Sequence, residues 1–172
     1  IARIGKGENY YDFIVEEHRV SDYPVRPGLA VRLPTLAYLD AWLGFPGQIV
    51  AAILLLAAVI AAWWRRLGSE PGAAQRRVMA IALLFVGASL GLNQYFFVLH
   101  EQWAGMLLAL SFGLHRVGGG NGGKWAASLA VAALALAIRE LSLPFVLLMA
   151  AMAFWRGDRK EGLAWSALVA VF

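Results

Sequence analysis

The chain has 172 residues, of which 60% are hydrophobic and 15% charged, with a mean hydropathy of +0.64, a net charge of +4 and no cysteine. A soluble domain is about 25% charged, so a single water-facing globule is excluded, as are a disulfide framework and any thiolate metal or redox site. The positive charge does not point to nucleic acid, because the basic residues lie in short loops between apolar runs and form no stripe interleaved with aromatics.

Residues 1–44 form a polar leading segment. Tyr10, Phe13, Ile14 and Glu17 recur at i, i+3, i+4 and i+7, which predicts a short amphipathic helix over residues 9–19 with Asn9 as its cap and an aromatic face suited to a membrane surface. Glu8, Asp12 and Glu16 are spaced four apart on the opposite face. Two readings stand for them: a solvated charged face, or a carboxylate constellation acting as a general base or holding a divalent cation. Pro24, Pro27 and Pro34 break any helix through the next stretch, which carries Arg26 and Arg32. Guanidinium forks suit phosphate, and they equally suit Asp22, Asp40 or lipid headgroups. Residues 35–42 then read as a second short helix, stopped at Gly44.

Residues 45–172 are the predicted transmembrane region. Crossing about 30 Å of hydrocarbon takes about 20 apolar residues; residues 45–64, ending in Trp63 and Trp64, and residues 78–99 meet that length. Shorter runs follow at 102–117, 125–138 and 142–155, and a last one at 163–172 is cut by the chain end. Both ends, Ile1 and the apolar Phe172, give the expectation of a piece of a longer protein. Gly87 and Gly91 form a GxxxG spacing for close helix approach. Gly118, Gly123 and Lys124 match GxxxxGK, but Trp125 stands where a phosphate-binding loop needs Ser or Thr, so this is read as a turn.

Loop charge sets the orientation. Arg65, Arg66, Arg76, Arg77, Arg116, Lys124, Arg156, Arg159 and Lys160 fall in alternate loops with only Glu70, Asp158 and Glu161, a surplus of six positive charges, and are predicted cytoplasmic. Residues 1–44, the His100–Glu101 turn and the Arg139–Glu140 turn then share the external face. Ionisable groups at such positions are costly unless paired or functional. Arg139 and Glu140 read either as an interfacial ion pair or as a site in which Arg139 holds an anionic group that Glu140 orients; His100 reads as an interfacial residue, or as an acid, base or phosphate partner. The fold expected is an all-α, multi-pass integral membrane bundle with an external amphipathic segment.

The layout of YYDFIVEEHR and YPVRPGLAVRLPTLAYLDAWLG, followed by spans joined through LHEQWAG and IRELSLPF, resembles the N-terminal part of multi-pass glycosyltransferases of the GT-C fold. The resemblance implies transfer of a sugar from a polyprenyl-phosphate-linked donor to an acceptor outside the membrane, in a bacterial inner (plasma) membrane. It implies Asp12 as the catalytic acid residue, with Glu8 and Glu16 behind it, and Arg26, Arg32, His100, Arg139 and Glu140 around the donor phosphate. The chemistry requires no cofactor, with a divalent cation left open, and the partners implied are the lipid-linked donor, membrane lipid and an unspecified acceptor. A transporter or flippase whose interrupted helices line a path is the alternative, and a structural membrane subunit the third.

Overall fold

A computed structural model describes residues 2–24, 33–68, 73–89, 99–117 and 125–172. They form helices, and no strand occurs among them. The chain divides into two units, residues 1–48 and 49–172.

In the first unit a single turn α1 (Ala2–Gly5) precedes α2 (Tyr10–Val20). Asn9 caps α2 as its spacing predicts: its side-chain oxygen accepts from the Tyr11 N–H at 3.0 Å, satisfying one of the donors that a helix start leaves open. The aromatic face differs from the expectation. Tyr10 and Phe13 are buried with Ile4, against Ile14, Ala37 and Ala41, so this stripe packs inside the unit instead of facing a membrane surface. The Tyr10 N–H also donates to the Tyr38 hydroxyl at 3.2 Å. Proximity explains the difference: the start of α3 (Thr35–Leu67) supplies small residues on which two rings can seat.

Helix α3 is two segments. Gly44 sits at φ 63°, a region that L side chains resist, and Pro46 follows where the next segment needs no N–H. The part beyond Gly44 runs about 34 Å at 1.5 Å per residue, and α3 is the one helix among the described residues long and apolar enough to cross a membrane.

The second unit continues with α4 (Ala73–Ser89), α5 (His100–Leu114), α6 (Ala126–Ile138), a 3-10 turn (Glu140–Ser142), α7 (Leu143–Trp155) and α8 (Arg159–Val171). Every other predicted span therefore has a helix, but α6, α7 and α8 have 13 residues each, near 20 Å. The span predicted over 78–99 begins earlier, at Ala73, and residues 90–98, including Gly91 of the GxxxG pair, lie outside the described residues. Helix α8 starts at Arg159, four residues before the predicted run, because Asp158 caps it by accepting from the Glu161 N–H at 3.1 Å.

Helices α5 and α6 pair antiparallel through buried serines: the Ser111 hydroxyl donates to the Ser128 carbonyl at 2.8 Å and lies 3.0 Å from its hydroxyl. Two polar groups in an apolar seam are thus mutually satisfied. The core of α6, α7 and α8 is Ala132, Leu136, Val146, Met149, Ala150 and Trp165. Rings of Trp63, Phe112, Phe145 and Trp165 meet in series at 5.8, 6.4 and 6.3 Å, linking α3, α5, α7 and α8. Helix α7 contains no charged side chain. Val146, Met149 and Ala153 are buried while Leu147, Leu148, Phe154 and Trp155 are exposed, Trp155 at 92%.

Candidate functional site

Helix α6 ends because Arg139 turns extended (φ −145°, ψ 115°), and Glu140 opens the 3-10 turn that leads to Pro144 in the first turn of α7. Arg139 therefore lies at a helix C-terminus, and Glu101 in the first turn of α5, each where the helix dipole favours its sign. Arg139 Nη2 lies 3.1 Å from Glu101 Oε1, and Nη1 lies 3.5 Å from Glu140 Oε1. The two tips predicted to share one end of the bundle do so. His100 is half-buried, one residue before Glu101.

This network is incomplete. Arg139 Nε and Glu140 Oε2 are buried and have no hydrogen-bond partner among the described residues, leaving one donor and one acceptor open. An unmade buried hydrogen bond costs about 1–3 kcal/mol, more for charged groups, so such pairs persist for a reason. Glu101 joins the network to a cavity of about 410 Å³ lined by Val59, Leu84, Gly87, Gln102, Gly105 and Met106 among others. A Cβ added at Gly87 or Gly105 would meet nothing within 4 Å, so glycine keeps the cavity walls low. The Gln102 side-chain amide donates to the Ala88 carbonyl at 3.5 Å, bridging α5 to α4. An apolar trough with one carboxylate, Glu101, in its wall and Arg139 paired behind that carboxylate can seat an amphiphile with a polar head.

The carboxylates of the first unit are arranged differently from their spacing. Glu8 precedes the Asn9 cap and so does not stack on α2 with Asp12 and Glu16. Arg3 gathers Glu8 at 2.8 Å, Glu17 at 3.2 Å and Glu16 at 3.5 Å, with its guanidinium 4.6 Å from the Phe13 ring centroid. Glu8 and Glu16 are thus engaged by a cation, while Asp12 stands exposed in the first turn of α2. No group of three His, Asp or Glu side chains suited to a metal occurs among the described residues. Arg26 and Arg32 lie outside the described residues.

Two features escaped the sequence reading. Asp40, four residues after buried Leu36 and before the Gly44 break, is only 5% exposed, and burial pushes its carboxyl from 3.8 up to about 6. The Leu36–Asp40 spacing was a visible signal that Asp40 shares the apolar stripe. Its folded-state pKa is raised, so protonated Asp40 adds stability below about pH 4 that is lost as pH rises through about 6. Asp40→Asn is accordingly expected to leave the melting temperature unchanged at pH 4, raise it at pH 7.5, and flatten the profile between them in a thermal unfolding series.

The second is at the other end of the bundle. His115 Nε2 and Glu161 Oε1 are 2.7 Å apart, both residues 3% exposed. Arg156 Nη2 donates to both Glu161 oxygens at 3.1 Å, and Trp165 Nε1 donates to Oε1 at 3.2 Å. Arg66 Nη1 donates to the Phe112 and His115 carbonyls at 2.5 and 2.7 Å, capping α5. Only the i, i+4 spacing of Glu161 and Trp165 hinted at this cluster; its long-range partners had no local signature. Comparison with known families, curated proteins and solved structures finds no match to the chain.

Proposed function

We propose that this chain is part of a multi-pass membrane glycosyltransferase, and that the Glu101–Arg139–Glu140 end of its second unit receives the phosphate-sugar head of a polyprenyl-linked donor on the extracytoplasmic side of the inner (plasma) membrane. The observation that carries the reading is the pair of open, buried hydrogen-bonding atoms, Arg139 Nε and Glu140 Oε2, joined through Glu101 to an apolar cavity. A lipid-linked sugar phosphate supplies both complements, a phosphate oxygen to accept and a sugar hydroxyl to donate, with an apolar tail.

Membrane insertion beyond α3 is favoured by what α4 and α7 leave uncovered. Val78, Met79, Leu83 and Val86 on α4 are each at least 60% exposed, and α7 exposes Leu147, Leu148 and Trp155. Such a surface is costly in water and neutral in lipid.

In this reading a general base takes the proton from an acceptor hydroxyl, the resulting oxygen attacks the anomeric carbon, and the bond from that carbon to the phosphate oxygen breaks, releasing polyprenyl phosphate. Asp12 is the carboxylate that the family resemblance proposes for the base. Arg139 stabilises the charge that develops on the phosphate. With the full-length protein in membranes, Arg139→Gln is expected to lower sugar transfer from the lipid-linked donor by about 10²-fold, the usual cost of removing one such donor group, with insertion unchanged. Undiminished transfer removes Arg139 from the site.

A further inference from the structure

The opposite end of the second unit carries a charge pattern that the sequence alone overstates in its acids and understates in its consequence. Glu161 is buried under His115 and Arg156, and the Asp158 carboxylate accepts the Glu161 N–H. Arg66 is engaged by carbonyls of α5. The cations left exposed are Arg65, Arg76, Arg116, Arg159 and Lys160, and among the described residues no exposed carboxylate accompanies them. Glu70, the one acid between α3 and α4 in the sequence, lies outside the described residues. Among the described residues, internal pairing therefore leaves exposed charge of one sign at this end.

One cation there is built in. The Arg77 guanidinium carbon lies 3.5 Å from the Trp64 ring centroid, and a Cβ on Gly68 would come within 3.0 Å of Arg77 Nη1. Arg77 Nε is buried and has no hydrogen-bond partner among the described residues. Stacking on a half-exposed tryptophan fixes the guanidinium plane at low entropic cost. The next residues on α4, Val78 and Met79, are 60% and 63% exposed. A fixed cation beside Arg76, continuous with bare apolar helix surface, matches a molecule with an anionic head and acyl chains joined to it.

We infer that Arg77 stacked on Trp64, with Arg76 beside it, binds an anionic phospholipid such as phosphatidylglycerol in the leaflet that this end faces. The inference rests on the membrane reading above and is independent of the glycosyltransfer step. A resident lipid of this kind holds the start of α4 at the interface, since each basic side chain near an anionic surface favours association about fivefold.

The test is native mass spectrometry of the full-length protein released from detergent micelles containing equal phosphatidylglycerol and phosphatidylcholine. Retained phosphatidylglycerol should exceed phosphatidylcholine by fivefold or more. Arg77→Gln and Arg76→Gln should each reduce that ratio about fivefold; Arg76 is exposed, so its variant tests the site even if Arg77→Gln fails to fold. Millimolar glycerol phosphate should not displace the lipid. Equal retention of the two lipids, an unchanged ratio in Arg76→Gln, or displacement by glycerol phosphate overturns the inference. A protein that stays soluble and monodisperse without detergent instead overturns the membrane reading beneath it.

Discussion

Glu161→Ala is expected to lower the unfolding free energy by about 3–5 kcal/mol, the usual cost of removing one partner from a buried charge pair. The carboxylate is the hub of its cluster: it takes two hydrogen bonds from Arg156, one from Trp165 and a 2.7 Å contact with His115. Without it, Arg156 is a poorly solvated cation and the Trp165 N–H is an unsatisfied donor beneath a fully buried ring. His115→Ala should cost less, because Arg156 still neutralises Glu161. Asp158→Ala should cost about 1 kcal/mol, the loss of one cap. Denaturant titration in mild detergent orders the three variants; a Glu161→Ala loss below about 1 kcal/mol, the range of exposed pairs, indicates a solvated cluster.

Asp12→Asn is expected to reduce sugar transfer by about 10²-fold or more, within the range for losing a general base, while leaving α2 folded. The structural separation makes this a clean substitution. Asn9 caps the helix, and Tyr10 and Phe13 supply the buried face, so Asp12 contributes to folding only its interaction with the helix dipole, about 0.3–1 kcal/mol. Circular dichroism should therefore be unchanged where activity is lost. Asp40 provides the internal comparison, since its carboxyl is held near 6 by burial, within the range of a working base. Loss of transfer in Asp40→Asn with retention in Asp12→Asn reassigns the base to Asp40.

What was legible in the residues was local. Asn9 caps α2, Gly44 divides α3, and Arg139–Glu140 ends α6, because each is decided by backbone chemistry within a few positions. Charge alternation also placed Glu101 and Arg139 at one end, a prediction of topology that needs no knowledge of side-chain contacts. The partners were not legible. Glu8 and Glu16 answer to Arg3, and Glu161 to His115 across 46 positions, because tertiary packing chooses among carboxylates that look alike in sequence. The aromatic stripe of α2 shows the same limit: an amphipathic period specifies that a face is covered, and Ile4, Ala37 and Ala41 decide by what.

The proposed function requires Leu141 and Ser21 on the extracytoplasmic side of the membrane and Gly157 on the cytoplasmic side. The chain has no cysteine, so single substitutions report without background. Intact cells expressing Ser21→Cys, Leu141→Cys or Gly157→Cys are treated with a membrane-impermeant maleimide, all three positions being exposed. Labelling at positions 21 and 141 but at 157 only after lysis is the expected result. Labelling at 157 in intact cells, or protection of 21 while 141 is labelled, contradicts the account.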